Sequence, residues 1–288
     1  MQDRYVGDVG DFGKYGLLRA LADGLRLGVV WYLTPDEGHN ADGKHVSYLD
    51  PSLSNVTRFR LCDPPLFDIL SAMIGDGARS VRAVREQAVL PATTAFLEES
   101  LTFDGLPSNG PFARSIRLDR RTRWMHGALD ATKACDLVFA DPDHGIECGR
   151  KRYEKLGPKH AYLDELAAVI RRNQSLIVYH HLDRSAPAPV QVGRVLHRLA
   201  EATGPRTTPF ALHFRRGTAR AFLVVPSVDH ESLLVERTRQ FLNSPWSQHF
   251  SLVDHSLSTE QPAGMTESEL ATTRIGVSDD EEVDDAHR

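Results

Sequence analysis

Cysteine is scarce: Cys62, Cys135 and Cys148 are the only three in 288 residues. They lie far apart without CxxC spacing, which argues against a disulfide framework and against a structural zinc site. Long apolar runs are also missing. Leu27–Leu33 and Ala221–Pro226 are among the longest, and both are far too short to cross a bilayer. The opening Met1-Gln2-Asp3-Arg4-Tyr5 has no basic stretch leading into an apolar one, so no secretion signal is expected there. A cytoplasmic protein without a membrane partner is the expectation. Three familiar motifs are absent as well. There is no GxxxxGK[ST] loop, no GxSxG elbow, and no GxGxxG following a strand.

What remains is an ordinary globular composition, 41% hydrophobic and 25% charged. The net charge of -5 owes much to Asp279-Asp280-Glu281-Glu282 and Asp284-Asp285. Basic clusters sit inside the body at Arg117–Arg123, Arg150-Lys151-Arg152, Arg171-Arg172 and Arg215-Arg216. They read either as solvated faces or as a footprint for nucleic acid. From about Ser256 onward Ser, Thr, Glu and Asp dominate, so a domain over 1–255 with a disordered acidic tail over 256–288 is expected.

Along the body, apolar strands alternate with helical patterns. Short apolar runs at 28–33, 136–140 and 175–179 predict buried strands, with a further strand at 114–118. Helices are expected from 13–17 to about 24, at 66–73, 80–87, 91–101, 124–134, 162–172, 190–202 and 232–242. The stretch around 64–101 reads as a helical insertion. Residues 209–214 and 219–225 predict a hairpin around Arg215-Arg216-Gly217-Thr218. The sum is an α/β fold: a doubly wound, mainly parallel sheet with an antiparallel edge hairpin. Ligands in such sheets bind at the carboxyl ends of the strands, near the point where strand order reverses.

Four segments carry groups capable of chemistry. Asp141-Pro142-Asp143-His144-Gly145 follows a buried strand, and charges desolvated there need partners or a function. Gly7-Asp8-Val9-Gly10-Asp11-Phe12-Gly13-Lys14 either lets a ligand approach the backbone, with Asp8, Asp11 and Lys14 facing it, or is a capped helix start with Asp11 as cap and Lys14 solvated. The polar loop Thr34–His45 offers Thr34, Asp36, Glu37, His39, Asn40, Asp42 and His45, in an order matching no standard zinc spacing. In Tyr179-His180-His181 the histidines point to opposite sides of a strand, so at most one enters a site.

Gly7, Asp11 and Lys14 match a Gly-x-x-x-Asp-x-x-Lys pattern. Asp141-Pro142 matches the first half of an (N/D)PP(Y/F) motif, and Arg216-Gly217 leads into the apolar run Ala221–Pro226. On these residues the chain resembles the large-subunit ribosomal RNA adenine-N6 methyltransferases, across most of residues 5–227. It also resembles a bacterial group that shares the opening segment and an Asp-Pro-Asp strand end, a likeness that brings no activity with it. The departures are Asp143 and His144, where the methyltransferases have Pro and an aromatic residue, and a loop after the first strand without GxG.

The resemblance implies S-adenosylmethionine as cofactor, held by Gly7, Asp11, Lys14, Thr34, Asp36, His39 and Asn40. It implies methylation of a nucleobase amine in RNA or DNA, with Asp141, Pro142, Asp143 and His144 as catalytic residues. In that reading Lys14 lies near the cofactor's carboxylate, and Arg117–Arg123 and Arg215-Arg216 hold phosphates. A metal-dependent phosphoester or nucleotide hydrolase is the alternative: Asp141 and Asp143 bind the ion, helped by Asp36 or His39, and His180 or His181 is the acid or base. A non-catalytic module binding nucleic acid or a partner protein is the third reading.

Overall fold

The computed structural model describes residues 1–38, 43–53, 56–147, 149–204 and 206–253. The expected tail and the candidates His39, Asn40 and Asp42 lie outside the described residues, as does Cys148. Helix α1 (Val9–Leu21) precedes β1 (Leu27–Val30), and α2 (Val56–Arg60), α3 (Pro64–Gly75) and α4 (Val81–Glu86) lead to β2 (Ala95–Leu97). Helix α5 (Ala113–Ala131) then feeds β3 (Leu137–Ala140). A short ribbon, β4 (Gly145–Ile146) with β5 (His160–Ala161), comes before α6 (Leu163–Ile170), β6 (Ser175–His181) and α7 (Ala188–Thr203). The chain closes with β7 (Phe210–Phe214), β8 (Arg220–Val225), α8 (Glu231–Leu242) and β9 (Phe250–Leu252).

Seven strands form one sheet in the order β2-β1-β3-β6-β8-β7-β9. The first four are mutually parallel. The last three run antiparallel to their neighbours. The α/β expectation therefore holds, with the hairpin at one end of the sheet and β9 added outside it. Both faces of the sheet are buried, so period-2 alternation divides each strand between two cores. Leu137, Phe139, Phe222 and Val224 pack with α1, α3 and α8. Val138, Ala140, Leu223 and Val225 pack with α5, α6 and α7. Strand order reverses between β1 and β3, which places the ligand crevice beyond Val30 and Ala140. Among the described residues no helix is long and apolar enough to cross a membrane.

Three local expectations are corrected. The segment Arg114–Leu118, read as a strand, is the first part of α5. Ala113, Arg121, Trp124, Met125 and Ala128 form the buried stripe of that helix. Within 91–101, read as a helix, Ala95–Leu97 pairs with Gly28–Val30 as β2. Helix α1 begins at Val9, earlier than its glycines suggested. Asp8 is its cap, accepting the Gly10 and Asp11 N–H groups at 2.6 and 3.2 Å. Gly10 and Gly13 lie on one helix face, where a Cβ would collide with the Arg220 guanidinium and the Phe214 ring. Close packing, rather than a loop wrapped on a ligand, explains these glycines, and it overrides their poor helix propensity.

Candidate functional site

A cavity of about 570 Å³ opens at the predicted crevice. That volume suits a small-molecule site, for which roughly 300–1,000 Å³ is usual. The amino-terminal segment, the loop behind β1 and the Asp141 corner all border it, so three stretches remote in sequence converge.

Its floor is a buried charge cluster built by helical spacing. Asp11, Lys14 and Tyr15 share one face of α1. Lys14 Nζ donates to Asp11 Oδ1 at 2.7 Å and to Asp141 Oδ2 at 2.8 Å, and Tyr15 donates to Asp11 Oδ2 at 3.0 Å. The rings of Trp31, Tyr15 and Tyr179 lie within 5.7–5.9 Å of the ammonium. Burial alone would lower the Lys14 pKa, but the two carboxylates outweigh it and hold it above the ordinary value. Lys14 is thus neither solvated nor free to bind a cofactor carboxylate. It neutralises Asp11 and fixes Asp141.

Asp141 sits at the end of β3, its N–H bonded to the Val30 carbonyl at 2.9 Å. Burial raises its carboxyl pKa, against the pull of Lys14. Lys14 engages Oδ2 only. Among the described residues Oδ1 has no protein partner, and no N–H donates to the Pro142 carbonyl. Asp143 follows a different course. Burial works to raise it, but the Met1 amino group, Lys159 and His144 together hold it below its ordinary value. Lys159 reaches it at 3.1 Å and also binds Glu37 at 2.7 Å, bridging the β5 side to the loop behind β1. Gln2 donates to Asp143 at 3.4 Å. His144 is exposed at the rim, edge-on to His160 with ring centroids 5.0 Å apart.

Gly145 serves the scaffold. Its φ of +91° and its approach to His180, whose Cα would lie 2.8 Å from an added Cβ, dock β4 against β6. His180 is buried and accepts the Ile146 N–H on Nδ1 at 3.1 Å, while His181 faces the cavity. The strand alternation read from the sequence therefore separates the two histidines. Gly7, Thr34 and Asp36 stand outside the cavity lining. Gly7 forms the turn before α1 and accepts Tyr48 Oη at 3.1 Å. Thr34 donates its N–H to the Met1 carbonyl at 2.9 Å, and Asp36 accepts the Arg4 N–H at 3.2 Å. Tyr179, from the flagged strand end, lines the site too, whereas Lys159 and Arg220 carried no local signal: each is a single residue delivered by the topology.

The basic clusters are mostly structural. Arg121 is buried, with Nε 2.6 Å from Glu165. Arg123 pairs with Asp119, and Arg172 holds the Leu129 carbonyl. Arg215 and Arg216, expected on phosphates, instead tie down Ser247, Gln248, His249 and Phe250. Among the described residues no three His, Cys, Asp or Glu side chains gather as a metal site. Asp141 and Asp143 are each matched by a lysine. No protein-family model matches the chain, and no curated protein matches it.

Proposed function

We propose that this cavity binds S-adenosylmethionine and that the chain transfers its methyl group to an exocyclic amine of a nucleobase in RNA or DNA. One observation carries the reading. Among the described residues Asp141 Oδ1 and the Pro142 carbonyl are two adjacent acceptors left open at the strand end, beside carboxylates that Lys14 and Lys159 already hold. An aromatic amine is a poor nucleophile because its lone pair is delocalised into the ring. Two acceptors taking its two N–H groups draw the nitrogen toward tetrahedral geometry and free the lone pair. Lys14 keeps Asp141 in one orientation, so the acceptor is in place before the amine arrives. Tyr179 in the lining and His144 at the rim offer flat faces to a base that has left its stack.

The residues present fit the cofactor in charge. Arg220 has no carboxylate partner among the described residues and can hold a carboxylate, while Glu37 and Asp143 can hold an amino group in exchange for Lys159. The cofactor supplies an electrophilic methyl group. The chain's own residues hold the amine and accept its proton, with Asp141 or water as the final base. A thermal shift screen with S-adenosylmethionine and its demethylated product tests the assignment. Either ligand should raise the melting temperature, by about 2.7 kcal/mol of added stability at 100 times its Kd. Stabilisation by magnesium or manganese alone, with no response to either cofactor form, rejects it in favour of metal-assisted hydrolysis.

A further inference from the structure

A second cleft, of about 470 Å³, opens between the start of α5 and residues 149–153. Of its four basic residues only Arg152 is tightly paired, with Asp164 at 2.6 Å. Arg114 is exposed, its guanidinium resting on the Tyr153 ring at 4.8 Å and touching no carboxylate among the described residues. Lys151 is exposed, and its ammonium has no partner among the described residues. Arg150 meets Glu154 only at 3.8 Å, with both side chains more than 40% exposed. The one carboxylate in the lining, Glu147, is already taken by Arg198 of α7 at 3.1 Å.

A second, independent feature lies in the wall. Tyr162 is 5% exposed, yet its buried hydroxyl has no hydrogen-bond partner among the described residues. An orphaned hydroxyl costs about 1–3 kcal/mol, so such groups are normally satisfied. Burial pushes this phenol up to about 12, further from ionisation than an ordinary tyrosine. Arg117, which holds the Tyr153 carbonyl at 3.2 Å, also has a buried Nε without a partner among the described residues.

We propose that this cleft is a binding site for phosphoryl groups, with Arg114, Arg150 and Lys151 supplying the charge and Tyr162 a buried hydroxyl donor. A phosphoryl group offers several acceptor oxygens at once, and arginine forks match its geometry. The β4–β5 ribbon sets the distance to the first cavity. Lys159 precedes β5 and lines the first; Tyr162 follows β5 and lines the second. Three residues of extended chain span about 10 Å. That separation suits a ligand with more than one phosphate, either a nucleoside polyphosphate or a single-stranded polynucleotide. The proposal stands whether or not the first cavity transfers methyl groups.

Binding of pyrophosphate, a nucleoside triphosphate, and labelled oligo(dT) and oligo(U) to the full chain tests it, by calorimetry and fluorescence anisotropy over a salt series. The variants are the exposed pair R114A/K151A and, separately, Tyr162→Phe, which keeps the ring. At least one probe should bind. The double variant should weaken it tenfold or more and lower a single-strand salt slope by about 1.4, the release expected for two phosphate contacts. Tyr162→Phe should weaken it several-fold. Binding of pyrophosphate and triphosphate assigns a nucleotide, and binding of the oligomers alone assigns a strand backbone. Failure of every probe to bind wild type overturns the proposal, and so does a double variant with wild-type affinity and slope. An unchanged Tyr162→Phe removes the hydroxyl from the site.

Discussion

The two clefts sit at opposite ends of one two-residue ribbon and treat charge in opposite ways. In the first, Lys14 is shared by Asp11 and Asp141, and Lys159 by Asp143 and Glu37, all at 2.7–3.1 Å. In the second, Arg114 and Lys151 face solvent without a carboxylate among the described residues. Compensated, buried charge fixes geometry, and its loss is felt in folding. Uncompensated, exposed charge adds little to stability and is available to a ligand. One cleft is built to hold atoms in place; the other is built to attract.

The sharpest way to break this contrast is Lys14→Met. It strands Asp11 and Asp141 in the interior facing each other, and should cost about 3–5 kcal/mol near neutral pH in urea unfolding. The sign with pH follows from linkage. Burial already raises the Asp141 carboxyl against the pull of Lys14, and without the ammonium it titrates higher still in the folded state than in the unfolded one. The folded state then holds more protons, so part of the loss should return as pH falls. A variant that unfolds no more readily than wild type would show the cluster to be loose.

Gly145→Ala comes next. A positive φ and the nearby His180 backbone leave no room for a methyl group. A loss of about 1–3 kcal/mol is expected, with faster amide exchange at Ile146. His180 gives a smaller effect. Burial lowers it from 6.5 to about 4. Between those values the unfolded chain binds a proton that the folded chain does not, so stability should fall as pH drops through that window. His180→Asn, which can still accept the Ile146 N–H, should flatten thermal melts over the same range. Smallest of all, Arg114→Ala should leave the melting temperature unchanged. A clear drop would mean that the second cleft is also structural.

How far these features were legible in the sequence follows from how local their causes are. The buried strands around Val138 and Ile177 were readable because both faces are covered and the runs are apolar throughout. Asp141-Pro142 at a strand end was readable for the same reason. Helix α1 was half legible: Gly10 and Gly13 look like a loop until Arg220 and Phe214 press against them. β2 was misread because three residues gain strand character only from pairing with β1. Lys159 and Arg220 could not be found at all, since only the crossing of the chain brings them to Asp143 and Asp8. Arg215 and Arg216 misled because a basic pair reads the same whether it holds phosphates or carbonyls.

The central claim is that Asp141 and Pro142 hold the target amine. The most direct measurement is transfer of a labelled methyl group from S-adenosylmethionine to single-stranded oligonucleotides, by wild type and by Asp141→Ala. The variant leaves Lys14 paired one-to-one with Asp11, so it should fold and still bind the demethylated cofactor. The account predicts transfer by wild type and none by the variant. Equal turnover in the two proteins would contradict it.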